Sequence, residues 1–250
     1  MRTFWNMVND VISDADILLL VLDSRMALGT RNLEIEDKVA SKGKPLIYVL
    51  NKCDLVDKHV VEQYKRKLPN SVFISAKLHL GTTKLREKIL MTASRLNLHA
   101  KVRVGVLGYP NVGKSSLINA LKGKSAAKTS LISGYTKHIQ KVRASKIILL
   151  DTPGVIPYKE NNDFKHNIIG TIDFSKEKDP DVVAVNLMNV FPGIIEQHYD
   201  VPEINDKEQT LVNIAEKRNM VKKGSKPDVI RAAKMILKDW QTGDISEKKK

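Results

Sequence analysis

Near the middle of the chain, Gly108-Tyr109-Pro110-Asn111-Val112-Gly113-Lys114-Ser115 spells G-x-x-x-x-G-K-S. The residues before it, 102–107, read as a strand, and residues 116–121 after it as a helix. A glycine-rich loop in that setting admits few folds. It has to pass from a sheet strand into the positive end of a helix, where backbone N–H groups such as those of Val112 and Ser116 can wrap phosphate oxygens. Gly113 permits close backbone approach, Lys114 reaches the β- and γ-phosphates, and the Ser115 hydroxyl is a Mg²⁺ ligand. On this stretch alone, a plain glycine turn between strand and helix is the competing reading.

The rest of the first 154 residues fits the same kind of fold. Residues 17–22, 46–50 and 72–74 read as strands, as do two more around 139–143 and 146–150. Residues 82–96 have helical spacing, with Leu85, Ile89, Ala93 and Leu96 on one side. Near-continuous apolar strands alternating with helices predict a mostly parallel sheet with helices on both faces. Three strands run into polar clusters. Asp151-Thr152-Pro153-Gly154 puts a carboxylate where it can hold Mg²⁺ through water, and frees the Gly154 N–H for the γ-phosphate. Asn51-Lys52-Cys53-Asp54 offers a carboxylate able to accept both donors of the guanine N1–N2 edge, a pair that adenine lacks. Asp54 therefore argues for GTP over ATP, since a wrong base leaves polar groups unpaired. Asn51 would tie the loops together and the Lys52 stem would pack on the base. Ser75-Ala76-Lys77 would supply the N–H that meets guanine O6. Cys53 reads as inert.

Composition removes other classes. A single cysteine among 250 residues excludes a disulfide framework and a cysteine-rich zinc site. The longest aliphatic run, residues 17–22, is too short to span a bilayer, and Met-Arg-Thr-Phe-Trp-Asn is no signal peptide, so the expectation is a cytoplasmic protein with no membrane partner. The net charge of +14 is concentrated: residues 88–150 hold 12 basic residues and no acidic one. A solvated face is the bland explanation; a polyanion partner such as RNA is the reading that so long an acid-free window favours.

After Gly154 the strands stop. Asn161-Asn162-Asp163 reads as linker, Asp179-Pro180-Asp181 starts a helix over 182–190, and residues 206–218 form another. In the last helix, Pro227 falls in the first turn. Val229, Ala232, Ala233, Ile236, Leu237 and Trp240 then make one apolar stripe, with Arg231, Lys234 and Lys238 opposite and Gly243 as the stop. Those three cations are candidate RNA contacts. The expected organisation is an α/β nucleotide domain over 1–160, a linker over 161–178, a smaller all-α domain over 179–245 and a tail over 246–250.

The four loops are those of Ras-like P-loop GTPases, but their order is rotated, with the base loops ahead of the phosphate loop. Such circular permutation is tolerable because domain termini lie close together at the surface. The chain resembles the ribosome biogenesis GTPase A (YlqF/RbgA-type) family, in its archaeal and eukaryotic-like branch. Asp23-Ser24-Arg25 with Arg31-Asn32 is similar to that family's segment after the first strand. Gly134-Tyr135-Thr136-Lys137 with Gln140 is similar to its switch threonine, and Ile230-Arg231-Ala232-Ala233 through Gly243 to its terminal helical domain. The likeness is specific over 16–155 and looser beyond. It implies a monomeric GTPase, slow alone and stimulated by ribosomal subunits, that binds GTP and GDP and matures the large ribosomal subunit precursor through its rRNA. A regulatory switch for a protein or tRNA-modification partner is the alternative.

By the same resemblance Thr136, rather than Thr129, completes the Mg²⁺ shell and joins Lys114 and Gly154 in catalysis. Asn111 is either a K⁺ ligand or a turn residue. Val155 stands where many GTPases place a water-positioning glutamine, so no side chain is assigned to water activation. The short run Val155-Ile156-Pro157 before the linker implies that nucleotide state moves the helical domain.

Overall fold

The computed structural model describes residues 4–98, 100–122, 140–144, 146–152, 154 and 174–246. The chain divides into two compact units, Met1–Asn161 and Asn162–Lys250. The first is built on strands β1 (Ile17–Asp23), β2 (Leu46–Asn51), β3 (Ser71–Phe73), β4 (Val102–Leu107), β5 (Gln140–Ala144) and β6 (Ile147–Asp151). They form one sheet in the order β3-β2-β1-β4-β6-β5. Every neighbouring pair is parallel except β5 with β6, so the sheet is mostly parallel, as the strand pattern implies. All seven residues of β1 are buried, which explains its unbroken apolar run. From β1 the chain steps outward through β2 to β3, then returns to β4 on the other side of β1. That reversal is a switch point, where open α/β sheets bind ligands beyond the carboxyl ends of their strands.

Among the described residues of this unit the helices are α1 (Phe4–Asp14), α2 (Leu33–Ser41), α3 (Lys58–Lys67), α4 (Thr82–Arg95) and α5 (Lys114–Lys122). The strand-centred sequence reading does not anticipate the first three. Helix α1 carries its signal in Met7, Val8, Val11 and Ile12, all buried at helical spacing. It lies against β4 at Gly105, where an added Cβ would sit 2.8 Å from Val11 Cγ1 and 2.7 Å from Leu18 Cδ1. Helix α2 is capped by Asn32, whose side chain accepts from the Ile35 N–H. On α4 the buried positions are Leu85, Ile89 and Ala93, but Leu96 is exposed because the helix stops at Arg95.

The second unit contains α6 (Pro180–Val190), α7 (Ile194–Tyr199), α8 (Lys207–Lys217) and α9 (Val229–Thr242). Ala232, Ala233, Ile236, Leu237 and Trp240 are buried on α9, while Arg231, Lys234 and Lys238 are exposed. Trp240 meets Phe191 with ring centroids 4.5 Å apart. Two expectations fail here. Pro227 is outside the helix: Asp228 caps α9 by accepting from the Arg231 N–H, and Pro227 pairs with Val221 in an isolated antiparallel bridge. Phe174–Lys176, assigned to the linker, is a 3-10 turn packed on α9, and the Phe174 N–H donates to Gln241 Oε1. Among the described residues no helix is long and apolar enough to cross a membrane.

A buried ion pair joins α7 to α8, Lys207 Nζ lying 2.6 Å from Glu196 Oε1, with the two side chains 9% and 1% exposed. Removing one partner strands a buried charge. Lys207→Met is therefore expected to lower unfolding free energy by roughly 3–5 kcal/mol in urea titrations, and the double variant with Glu196→Leu to recover most of it. A single variant as stable as wild type would contradict this.

Candidate nucleotide-binding site

The loops after β2, β4 and β6 meet at the carboxyl edge of the sheet. Strand pairing places Asp23 of β1 beside Asn51 of β2, and Val106 of β4 beside Asp151 of β6. Between β4 and α5 the phosphate loop needs unusual backbone angles: Gly108 has φ +143°, Asn111 +59° and Gly113 +95°. An added Cβ on Gly113 would collide with the Asn51 amide nitrogen. Glycine there serves packing against the base loop as well as ligand approach. Asn111 is left-handed, a conformation asparagine tolerates in turns.

Asn51 is 2% exposed and bridges two loops. Its Nδ2 donates to the Val112 carbonyl at 2.9 Å, and its Oδ1 accepts from the Ala76 N–H at 3.0 Å. Ser75 is fully buried; its hydroxyl accepts from the Leu78 N–H and its own N–H donates to Leu80. Any O6 contact by Ala76 thus shares an N–H already bonded to Asn51. Asp54 is half-buried in the 3-10 turn Cys53–Leu55, and Lys77 is exposed.

Lys114 opens α5 and is 7% exposed. Its ammonium donates to the carbonyls of Gly108 at 3.1 Å and Tyr109 at 2.6 Å. Burial pulls its pKa from the ordinary 10.5 down to about 8, against the opposing charge of Asp151. Asp151 is 4% exposed at the end of β6, while Ser115 and Ser116 are exposed on the first turn of α5. A buried carboxylate and a hydroxyl at a helix start suit Mg²⁺, which the GTPase fold implies. Among the described residues no group of three His, Cys, Asp or Glu side chains gathers.

Gly154 is seated on the phosphate loop: a Cβ there would come within 2.6 Å of both the Cα and the N of Pro110. Nothing in the sequence signals that contact. Thr129, Thr136, Lys137, Val155, Pro157 and Asn161-Asn162-Asp163, to which the sequence reading assigns switch and linker roles, lie outside the described residues.

The structure adds a charge cluster that sequence reasoning leaves without a role. Asp23, 5% exposed, pairs with both Arg25 and Lys52, at 2.7 and 2.9 Å. Lys52, expected to pack on the base, thus has its ammonium tied to β1. The available signal was an acid at the end of a wholly apolar strand.

Lys114 gives a pH test. Between about pH 8 and 10.5 the unfolded chain carries a proton that native Lys114 has lost, so stability rises with pH in that window. Lys44, Lys52 and Lys88 are pulled down by burial as well and contribute in both proteins, so in urea titrations the rise should be about 3 kcal/mol larger in wild type than in Lys114→Met. A flat wild-type profile, or an equal rise in the variant, would contradict the burial argument.

Two family descriptions match the chain: "RsgA GTPase" over residues 9–159 and "50S ribosome-binding GTPase" over residues 103–225. An uncharacterized GTP-binding protein of Methanocaldococcus jannaschii is 42% identical over 245 residues, 96% of this chain and 65% of that protein. Nucleolar GTP-binding protein 2 of Neurospora crassa is 34% identical over 98% of this chain and 41% of its own length. The chain therefore spans less than two thirds of these relatives. The GNP-bound YlqF structure from T. maritima superposes with a TM-score of 0.64 at 22% identity, covering 94% of this chain and 92% of that one. GDP-bound YlqF gives 0.65 at 21% identity, covering 97% and 98%. With base loops preceding the phosphate loop, the YlqF fold, and the RsgA match running over more than half of its length, the chain belongs to the circularly permuted GTPases.

Proposed function

We propose that the chain binds and hydrolyses GTP and uses the cycle in maturation of the large ribosomal subunit, through contacts with its rRNA. The observation that carries the nucleotide half is the convergence of three loops on one sheet edge, joined by Asn51. In this reading Asp54 accepts from the guanine edge, Lys52 lines the base, and Ser75, Ala76 and Lys77 close the O6 side. Asn111, Val112, Gly113, Lys114, Ser115 and Ser116 cradle the phosphates, while Gly154 and Thr136 answer to the γ-phosphate. Ser115, Asp151 and Thr136 would hold Mg²⁺, which when bound neutralises developing charge on the phosphate oxygens. Asn111 is the candidate K⁺ ligand.

The ribosomal half rests on the acid-free stretch 88–150, on the exposed Arg231, Lys234 and Lys238 of α9, and on relatives named as nucleolar GTPases. Residues 1–160 carry the nucleotide site, and the helical part over 179–245, with the turn Phe174–Lys176 packed on it, faces RNA. The protein acts as a monomer and its compartment is the cytoplasm; the nucleolar names of eukaryotic relatives mark the other compartment to test.

Asp54→Asn should weaken GTP binding roughly a hundredfold or more and gain xanthosine triphosphate, whose C2 oxygen replaces the amino donor with an acceptor. Wild-type protein that binds ATP within about tenfold of GTP would sink the base assignment. Sedimentation with purified large subunits should retain more protein with a non-hydrolysable GTP analogue than with GDP, and the subunits should raise GTP turnover. Glutamate at Arg231, Lys234 and Lys238 together should abolish most co-sedimentation at moderate salt and leave GTP affinity intact. Undiminished co-sedimentation would remove α9 from the RNA surface.

A further inference from the structure

The cluster at the end of β1 does more than close a strand. Arg25 grips Asp23 through three donors: Nε to Oδ1 at 3.0 Å, Nη2 to Oδ2 at 2.7 Å, and its backbone N–H to Oδ1 at 3.1 Å. The Asp23 backbone N–H is itself fixed on Thr30 Oγ1. The carboxylate is therefore immobile, and it presents Oδ2 to Lys52 Nζ at 2.9 Å. Burial alone would push the Asp23 carboxyl up; the charges and hydrogen bonds of Arg25 and Lys52 outweigh it and hold the group well below the usual carboxylate range. At its other end Lys52 is fixed by a left-handed backbone, φ +61°, immediately after Asn51 and two residues before Asp54.

A lysine side chain is long and loses much rotamer freedom when a ligand orders it. Here both ends of the Lys52 stem are held by the protein. We propose that Asp23 and Arg25 are positioning residues for guanine nucleotides: they clamp the Lys52 ammonium so that its alkyl stem stands already ordered beside the base-recognising Asp54. The ordering cost then falls on folding, and binding is correspondingly tighter. The inference rests on the GTP-binding reading above and extends it to two residues that act through Lys52. Because the clamp acts at the base end, it is indifferent to the γ-phosphate.

The test is a double-mutant cycle on the full chain, read by calorimetric titration with GDP and with a non-hydrolysable GTP analogue. Asp23→Asn keeps the shape and removes the charge; Lys52→Met keeps most of the stem and removes the ammonium. Asp23→Asn is expected to weaken both nucleotides by the same factor, roughly three- to tenfold, with the loss in turnover carried by KM. In the Lys52→Met background the same change should cost nothing further. Equal losses in both backgrounds, or a lowered melting temperature with unaltered nucleotide affinity, would reduce Asp23 to a structural residue and overturn the proposal. If Asp23→Asn does not fold, Arg25→Met takes its place in the cycle, and the same outcomes support or overturn the clamp. Wild-type affinity for GDP against ADP separates the two layers. No preference for GDP refutes the nucleotide reading itself, whereas a preference with additive losses refutes the clamp alone.

Discussion

The Asn51 carboxamide, buried at the end of β2, commits its donor to the Val112 carbonyl of the phosphate loop and its acceptor to the Ala76 N–H. Those contacts reach 61 and 25 residues along the chain. A glutamine would overshoot the gap, and an aspartate would face the Val112 carbonyl with a second acceptor. An alanine would leave a carbonyl and an N–H unpaired in a buried place, at about 1–3 kcal/mol for each group. The fit runs in both directions, because the space that Asn51 occupies is space that Gly113 vacates. Base loop and phosphate loop are therefore one construction, and a change that frees either loosens the other.

On the phosphate-loop side of this bridge, burial of a cation outweighs the opposing charge of Asp151. The Lys114 ammonium is folded back on two carbonyls of its own loop, and burial holds its pKa near 8. Neutral acceptors compensate a buried cation poorly. Phosphate oxygens would complete its solvation, so polyanion binding relieves a cost already built into the fold and stabilises the folded chain by mass action. At the base end the balance differs. Asp23 faces two cations, and its carboxylate is saturated by them before any ligand arrives. In the proposed reading the phosphate end thus holds a cation at a cost and the base end is stiff, which suits a ligand whose charge is all at one end.

What could be read from the sequence follows from what each feature depends on. The long apolar runs of β1 and β4 declare themselves because both faces of those strands are covered. The loops Gly108 to Ser115, Asn51 to Asp54 and Asp151 to Gly154 were legible because backbone geometry and ligand chemistry admit few residues there. Helix α3 was not legible because it buries no residue, and α7 has only six residues between two left-handed ends. Pro227 misled because a proline before a helix suits either its first turn or the extended residue ahead of the cap, and the Val221 bridge decides for the latter. The contact of Gly154 with Pro110, and the tie from Lys52 to Asp23, are tertiary facts that local sequence does not encode.

The permutation leaves the site intact because the site is built from lateral neighbours and not from chain order. Ile17 to Leu20 of β1 pair with Val104 to Leu107 of β4, so the N-terminal half lies directly beside the phosphate-loop strand. Helix α4, the join that the permutation creates, packs on α5, and Arg86 donates to the Leu121 carbonyl in the last turn of α5. A cation there also opposes the negative end of the helix that begins at Lys114. The join therefore clasps the phosphate-loop helix at its far end while Asn51 holds the loop at its near end. The loop after β6 closes on the same construction from the other side, where Gly154 is seated on Pro110 of the phosphate loop.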